Sequence, residues 1–497
     1  MLCGFMGQGI NIVLSFLNRT IFLYCFTKEY VGISSLFTGI FSFLSLADLG
    51  MEASMTVKLY KPLAENNQNE IRAILTYYKK IFNVIALVIA GCGTCLLPFL
   101  KYLVDIPNNV ENVGLIYILS LMNTVATYFF IYRKILFVAD QKKYITDIIQ
   151  YLITFLEYIV LIPVLLFTKS YILYLILQIV FKLSYNTIVM MYATKKYSYL
   201  GSNEKCELSI NVKESIKKDM KAISLHRFGD VVNAQSWTLI ASSFINIVTV
   251  GMYANYQMII NYVKVMMDKV FYSLSPSIGN LIVTEKKEDV ISFFKKMLFV
   301  SFVLTSVCGT CLLCLLNPFI DLWIGDKYLL GFNIVVISIA NFYIVNMRKT
   351  VLIFKEAYGF FTQDRFRPII ESVLSIFTSI LLVVVFDMGL SGVLLGTVVA
   401  YMSTTFWIEP LILFRDGFRE SSKVYFNLYF KYLITTITLM SGTYLICQIM
   451  QKGFLAFLGK AMLSVLIPVI IIIVFFHHTE EYKWLFGLAK NIVKRKR

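Results

Sequence analysis

The feature that most constrains this chain is a series of apolar runs, each about as long as a membrane is thick. A helix of about 20 mostly apolar residues crosses the roughly 30 Å of hydrocarbon in a bilayer. Fourteen such runs can be drawn along the 497 residues, of which 58% are hydrophobic. They are residues 3–26, 31–57, 81–100, 113–136, 146–167, 171–193, 223–247, 249–273, 294–316, 332–356, 368–386, 389–414, 430–450 and 454–476. Because lipid offers no hydrogen-bonding partner to an open backbone, each run is predicted to be a transmembrane helix.

The composition argues against other structural classes. Charged residues make up only 15% of the chain, against about 25% in soluble domains. This disfavours a soluble enzyme, a disordered chain and a secreted disulfide scaffold. A membrane β-barrel would alternate polar and apolar residues, whereas Leu463–Phe476 does not. No small-residue cleavage site follows the first run, so we expect a membrane span there and not a signal peptide.

The basic residues alternate between the two sides of the membrane. The chain carries 46 Lys and Arg against 30 Asp and Glu, a net charge of +16. With both termini in the cytoplasm, 35 of the 46 fall in inner loops and the tail, five in outer loops and six within spans. Cytoplasmic loops are enriched in Lys and Arg. The positive charge is therefore interpreted as topology and not as nucleic-acid binding.

The sequence contains an internal repeat. Tyr77–Leu100 and Phe293–Leu316 match at ten of 24 positions and share Lys-Lys and CGTCLL, at an offset of 216. Two further matches, at offsets of 215 and 219, are Arg133-Lys134 with Arg348-Lys349 and Val31-Gly32 with Val250-Gly251. The offset covers six spans, an even number, so duplication predicts parallel repeats about an axis along the membrane normal.

The predicted fold is therefore an all-α integral membrane protein with two six-helix bundles and two additional C-terminal helices. The expected parts are a first bundle at 1–193, a cytoplasmic linker at 194–222, a second bundle at 223–416, an extra helix pair at 417–478 and a basic tail at 479–497. Two six-helix halves are typical of transporters. The tail is expected to lie on anionic phospholipid at the cytoplasmic face.

Four predicted spans, the first, second, seventh and eighth, carry polar residues at helical spacing. Ionisable groups within a membrane are costly and tend to face a cavity or a partner. Arg19, Lys264 and Arg227 are predicted to make a central cavity positive and to bind a diphosphate. Alternatively, Arg227 reaches water at the inner surface. The other predicted lining residues are Asn11, Ser15, Asn18, Asn233, Gln257 and Asn261.

The acidic residues of these spans are candidates for ion coupling or for structural ion pairs; they are Asp48, Glu52, Asp230 and Asp268. Four other charged residues within the predicted helices look isolated and receive no role: Glu157, Lys182, Glu409 and Lys460. Two Cys-x-x-Cys pairs, Cys92/Cys95 and Cys308/Cys311, lie in apolar runs with no His nearby. Thiols in apolar surroundings stay protonated, so neither a metal nor a cofactor is expected. No phosphate-binding P-loop occurs either.

One segment resembles a known family. Glu29–Leu63 reads EYVGISSLFTGIFSFLSLADLGMEASMTVKLYKPL. It is similar to the opening of bacterial oligosaccharide repeat-unit flippases, in the polysaccharide transport branch of the multidrug/oligosaccharidyl-lipid/polysaccharide export superfamily. The likeness covers nearly the whole chain and continues through Asn18-Arg19-Thr20, Ala139–Lys142, Val250–Tyr253 and Pro318–Leu330.

The resemblance implies two six-helix bundles in a V, with two extra helices. It implies transport of undecaprenyl-diphosphate-linked oligosaccharide from the inner to the outer leaflet of the bacterial plasma membrane, by alternating access. The product would feed capsule or exopolysaccharide assembly, with polymerase or assembly proteins as partners. Related flippases use an Arg of the first helix to meet the diphosphate, which here corresponds to Arg19.

Two other functions remain open. A cation-coupled multidrug antiporter of the same superfamily would favour an acidic cavity, which the intramembrane Arg and Lys residues do not provide. A membrane polysaccharide polymerase or glycosyltransferase usually needs a long external loop, and no predicted outer loop exceeds 15 residues. A transporter is therefore favoured over an enzyme.

Overall fold

The computed structural model describes residues 2–45, 51–100, 110, 112–201, 208, 210–360, 363–451 and 453–495. It omits some side chains within these ranges, chiefly those of residues 2–8 and most of 210–227. The chain forms two compact units, Met1–Gly251 and Met252–Arg497. These units follow from contacts within the structure, whereas the predicted bundles follow from the internal repeat of the sequence. The two divisions are therefore not comparable, and the predicted domain boundaries stay a prediction.

Nineteen helices make up most of the described residues, and no strand occurs among them. In chain order they are α1 (Leu2–Cys25), α2 (Lys28–Leu44), α3 (Met51–Ala64), α4 (Gln68–Leu96), α5 (Val113–Ala126), α6 (Ile131–Ala139), α7 (Lys143–Thr168), α8 (Tyr171–Lys196), α9 (Ile210–Phe244), α10 (Ile247–Tyr272), α11 (Ser275–Thr284), α12 (Lys287–Ile324), α13 (Phe332–Ala357), α14 (Arg367–Val384), α15 (Gly389–Ser403), α16 (Thr405–Ile412), α17 (Lys423–Gln448), α18 (Phe454–Phe476) and α19 (Glu480–Arg495). A π-helical turn, Leu413–Phe418, follows α16.

The described part of the chain contains ten helical segments long and apolar enough to cross a membrane, and a shorter apolar helix at Gly9–Cys25. The remaining predicted spans also coincide with helices. The second, predicted at 31–57, corresponds to α2 and α3 on either side of residues 46–50, which lie outside the described residues. The seventh and eighth correspond to α9 and α10, where polar residues interrupt the apolar sequence. α9 begins at Ile210, within the predicted linker at 194–222.

In the first unit, aromatic contacts join α2, α4 and α5, while α7 exposes aliphatic side chains. Phe37 of α2 meets Tyr117 of α5 edge to face at 5.0 Å, and the buried Tyr117 hydroxyl donates to the Gly93 carbonyl of α4 at 2.8 Å. Leu152 and Ile159 of α7 are 59% and 51% exposed. Helices that span a membrane present such apolar faces to lipid.

In the second unit, the 38-residue α12 is the central element. It is about 57 Å long at 1.5 Å per residue, and it packs against α13, α17, α18 and α19. Phe302 of α12 stacks on Tyr432 of α17 with ring centroids 4.4 Å apart. Phe293 of α12 contacts Trp484 of α19 at 5.9 Å, so the C-terminal helix is anchored to this core.

Two glycines let backbones approach closely within the first unit. A Cβ on Gly32 of α2 would lie closer than 3.0 Å to the Ile247 carbonyl oxygen, and one on Gly251 would lie equally close to the Lys28 carbonyl oxygen. Gly251 follows Gly32 by 219 residues, and Ile247 follows Lys28 by the same 219. The contact is therefore reciprocal, as between two copies of one surface. Small residues commonly permit such close crossings in membranes.

A second pair of contacts also lies at corresponding positions of the two repeat copies. Arg133 of α6 donates to the Thr194 hydroxyl of α8 at 3.0 Å. Arg348 of α13 makes two hydrogen bonds to the Glu409 carboxylate of α16, at 2.7 and 2.8 Å. Both partners are shifted by 215 residues. The repeat thus preserves the position of the contact but changes its charge.

The Ala139–Lys142 segment forms a small polar cluster after α6. The Asp140 carboxylate accepts hydrogen bonds from the Lys142 ammonium and from the Tyr197 hydroxyl, both at 2.5 Å. Partial burial alone would raise the pKa of Asp140, but these hydrogen bonds and the Lys142 charge hold the pKa below its ordinary value. The cluster ties the turn after α6 to the end of α8.

Replacing either close-packed glycine by alanine should destabilise the protein. In Gly32→Ala or Gly251→Ala, the new methyl group meets a carbonyl oxygen at an impossible distance, and overpacking of this kind costs about 1–3 kcal/mol. The melting temperature of the detergent-solubilised protein measures the effect. Gly442→Ala in α17 is the matched control, because nothing lies within 4 Å of its added Cβ. Equal melting temperatures for all three variants would contradict the close contact.

The Asp140 cluster should stabilise the fold except in acid. A carboxyl whose pKa falls on folding stabilises the protein above its unfolded pKa of about 3.9, and this contribution disappears as pH drops through the lower folded pKa. Asp140→Asn should therefore cost about 1–2 kcal/mol at pH 7, and this cost should shrink as the pH falls below about 3.9. Melting curves against pH measure this. The costs of Asp140→Asn and Lys142→Met should not add, since both remove one pair; full additivity would count against the pair.

Candidate functional site

The polar face of α10 contacts α13 in the second unit. Gln257 donates to the Tyr253 hydroxyl at 2.8 Å, and that hydroxyl lies 3.1 Å from the Ser338 hydroxyl of α13. One turn on, Asn261 is exposed, and Lys264 is half-buried. The spacing of 4 and 3 residues places these side chains on one helix face, as the sequence predicts.

The same face ends in an ion pair. The Asp268 carboxylate lies 2.5 Å from the Lys349 ammonium of α13, and Lys349 also donates to the Asn346 side chain at 2.6 Å. The charges of Asp268 and Lys264 both act on Lys349. Two cations and one carboxylate therefore share this region. The structure gives Asp268, a predicted coupling or pairing residue, a partner in Lys349, which is not among the predicted site residues.

In the first unit, the polar face of α1 contacts α7 and α8. The Ser15 hydroxyl lies 3.0 Å from the Tyr158 hydroxyl, and Asn18 donates to the Tyr174 hydroxyl at 2.8 Å. The charge of Arg19 acts on the Tyr171 side chain. Asn11, Ser15, Asn18 and Arg19 are all half-buried. The role of this face in binding substrate stays a prediction.

Several predicted site residues have no described side chain. Asp48 lies outside the described residues altogether. The backbone of Arg227, Asp230 and Asn233 forms part of α9, but their side chains also lie outside the described part of the structure. Glu52 is described and is exposed in the first turn of α3.

A network of buried ion pairs connects three helices of the second unit, and the sequence did not predict it. Glu409 of α16 is fully buried; it accepts hydrogen bonds from Arg348 at 2.7 Å and from Lys355 at 3.1 Å, and it forms an ion pair with Arg367 at 3.2 Å. Two further carboxylates complete it. The additional pairs are Lys355–Asp364 at 2.5 Å, Arg367–Asp364 at 3.1 Å and Arg367–Glu371 at 2.8 Å. The Thr405 hydroxyl also donates to Glu371.

The network corrects one expectation: Glu409 is not isolated, because its partners come from α13 and α14. Three of the basic residues that the sequence analysis counts with the inner loops, Arg348, Lys349 and Lys355, belong to α13, and Arg367 opens α14. Three cations and three carboxylates balance within the network. Buried charges persist only when each is paired. The one feature of the sequence that indicated part of this network was the spacing of four residues between Arg367 and Glu371, which suits an ion pair within a helix.

Two other residues expected to be isolated also have neighbours. The charges of Glu157 in α7 and Lys182 in α8 act on one another, and the Lys182 ammonium donates to the Asn123 carbonyl at 3.4 Å. They share a polar patch inside the first unit. This placement corrects the prediction of isolation, and the Glu157 charge also acts on Tyr174, whose hydroxyl accepts from Asn18.

In the described part of the chain, the cysteines make no metal site, because no group of three or more His, Cys, Asp or Glu there could hold an ion. Cys92 and Cys95 are exposed and Cys308 and Cys311 are half-buried, all as free thiols. Cys311 donates instead to the Ser464 carbonyl of α18 at 3.6 Å. These contacts are consistent with packing between α12 and α18.

Comparison with known proteins gives a result only at the level of structure. No protein-family model matches the sequence, and no curated protein matches it. The lipid II flippase MurJ, in an inward closed conformation, is similar with a TM-score of 0.69 and 13% identity, over 96% of this chain and 99% of MurJ. An inward-facing multidrug resistance MATE transporter of the MOP superfamily is similar with a TM-score of 0.63 and 12% identity, over 79% and 91%.

The chain has the fold of the MOP-superfamily transporters. A third solved structure has the same fold: a MOP superfamily transporter from Pyrococcus furiosus, at a TM-score of 0.57 and 10% identity, covering 84% of this chain and 94% of that one. The binding pocket of that transporter is described as reversed in polarity, which suggests a different function for it. The predicted fold class, all-α with a MATE-like arrangement of helices, is confirmed.

Neutralising the centre of the buried network should unfold the second unit. Glu409→Gln leaves Arg348, Lys355 and Arg367 with one carboxylate fewer inside the protein, and an uncompensated buried charge costs about 3–5 kcal/mol. The melting temperature and the yield of folded protein should both fall. Glu420→Gln is the matched control, because Glu420 pairs with Lys287 at the exposed surface, where pairs contribute about 0–1 kcal/mol. Equal losses in the two variants would disprove the central role of Glu409.

Proposed function

We propose that this protein is a flippase that moves a diphosphate-linked oligosaccharide lipid from the inner to the outer leaflet of a bacterial plasma membrane. The observation that carries the proposal is the placement of basic side chains on polar helix faces. Arg19 lies on the polar face of α1, and Lys264 lies on that of α10 beside Lys349. Within the low dielectric of a membrane, such cations favour an anionic substrate.

The lipid-linked substrate has a physical reason to need these charges. A diphosphate that leaves water loses its hydration, and hydrogen bonds from Arg or Lys compensate for part of that loss. The sugars would follow through a polar path, while the prenyl chain stays in lipid. We assign to such a path the polar residues Asn11, Ser15 and Asn18 of the first unit and, separately, Gln257 and Asn261 of the second. The side chains of the predicted lining residues Asn233 and Arg227 lie outside the described part of the structure.

The similar solved structures support this choice. One of them is a lipid II flippase, MurJ, and this chain covers 99% of it. The resemblance at Glu29–Leu63 leads to the same class of substrate. We further propose that both termini are cytoplasmic, that the protein is not an enzyme, and that polysaccharide polymerase or assembly proteins receive its product.

A cation-coupled multidrug antiporter is the second candidate, because an inward-facing MATE transporter shares the fold. The two functions differ in the sign of the transported charge. A drug antiporter predicts that cells lacking the protein accumulate more of a cationic dye such as ethidium and keep their surface glycan. The flippase predicts the reverse: unchanged dye accumulation and a loss of surface glycan.

Removing the charge of Arg19 should reduce glycan export. A hydrogen bond to a charged group contributes about 1.5–3 kcal/mol, so Arg19→Ala should lower surface glycan roughly tenfold or more, since 1.4 kcal/mol is a factor of ten. Arg19→Lys should retain part of the activity. Glycan is measured by antibody or lectin binding to intact cells and protein by immunoblot. Arg415→Ala serves as the control, because Arg415 is exposed and pairs with its neighbour Asp416. Wild-type glycan in Arg19→Ala would remove Arg19 from the site.

A further inference from the structure

The Asp268–Lys349 ion pair differs from the other buried charges of the second unit in the ratio of positive to negative charges around it. The network around Glu409 contains three cations and three carboxylates. Around Lys349, in contrast, the charges of described residues that act on its ammonium are one carboxylate, Asp268, and a second cation, Lys264. This group therefore carries an excess positive charge. A site that must accept a further negative charge needs such an excess.

The two members of the pair also differ in exposure. The Lys349 side chain is 6% exposed, whereas the Asp268 side chain is 31% exposed. Asp268 therefore stands on the more open side, and it occupies one of the bonds that the ammonium can make. The Asn346 side chain of the same helix holds Lys349 in place from another direction, at 2.6 Å.

A carboxylate and a phosphate group offer a Lys ammonium the same kind of bond, a charged oxygen at about 2.7–2.9 Å. A phosphate that approached Lys349 would therefore compete with Asp268 for one position. Lys264 lies one helical turn from Asp268 on α10 and would supply the second cation for a group of two or more negative charges.

We propose that Asp268 is an exchangeable counter-ion, which neutralises Lys349 in the empty protein and gives way to the phosphate or diphosphate group of the substrate. This inference rests on the proposed function and deepens it. An unpaired buried ammonium is costly, so Asp268 keeps Lys349 charged and ready. By returning to Lys349, Asp268 also weakens substrate binding enough to permit release, which transport requires as much as binding.

The sequence repeats the residue types of this pair. Asp48 precedes Asp268 by 220 residues and Lys134 precedes Lys349 by 215, close to the offsets of 215–219 that relate the two halves. Asp48 lies outside the described residues. In sequence, an acidic residue thus recurs in the second predicted span of each half, and a basic one recurs after Arg133 and Arg348; this recurrence favours a retained role over an accidental contact.

The test is a double-mutant cycle of binding. Purified full-length protein in detergent is titrated calorimetrically with farnesyl diphosphate, which carries a prenyl chain, and with inorganic pyrophosphate, which does not. The variants are Asp268→Asn, Lys349→Met and the double variant. Asp416→Asn is the matched control: it also removes one carboxylate from an ion pair, the exposed Arg415–Asp416 pair. Melting temperatures confirm that each variant is folded.

The counter-ion role predicts that Asp268→Asn binds farnesyl diphosphate about tenfold more tightly than the wild type, because the competitor is gone. Lys349→Met should bind at least tenfold more weakly, and Asp268→Asn should give no gain in its background. Asp416→Asn should leave the affinity unchanged. Tighter binding of pyrophosphate in parallel would identify the diphosphate alone as the ligand, and a gain with farnesyl diphosphate only would require the lipid.

Other outcomes overturn the inference, and they do so separately from the proposed function. If the wild type binds farnesyl diphosphate but Asp268→Asn binds it equally or more weakly, the flippase proposal stands and Asp268 is a purely structural partner of Lys349. If Asp268→Asn is tighter even with Lys349→Met, the competition is not at Lys349. If no variant binds either ligand, the proposed function fails and the exchange fails with it.

Discussion

A charge placed within a membrane protein must be paired, because lipid and packed side chains replace little of the solvation that water provides. This constraint explains how several helices of the second unit are held together. Glu409 bonds three cations from two helices, so α13, α14 and α16 are joined at one point. The directional bonds of Arg348 and Arg367 fix how these helices meet more specifically than apolar contact can. In the group formed by Lys349, Asp268 and Lys264, by contrast, positive charges outnumber negative ones.

The fold was largely predictable from the sequence because helix length and apolar content are local properties. Runs such as 332–356 and 454–476 agree with α13 and α18 to within a few residues. The choice of α1 and α10 as polar helices was also local, since their spacing shows one face directly. The predicted second span was less accurate, and α9 begins within the predicted linker, because polar residues there remove the apolar signal.

The partners of the charged residues were not predictable in this way. Glu409 and Arg348 are 61 residues apart, and nothing in either segment identifies the other. The sequence pattern groups Lys349 with the basic residues of an inner loop, because a charge at the end of an apolar run looks the same whether it reaches water or a carboxylate. Pairing depends on which helix faces are adjacent, which is a property of the packed molecule and not of any single helix.

The reciprocal contact at Gly32 and Gly251 carries a consequence for the origin of the protein. Contacts between corresponding residues of a duplicated chain are those that two identical subunits make across a two-fold axis. An ancestor with six spans would have both ends on one side of the membrane and could dimerise through this glycine without changing its orientation. In that ancestor one mutation altered both sides of the interface at once. Fusion of two such copies into one gene would remove that coupling and let the halves diverge, as Thr194 and Glu409 differ at corresponding positions.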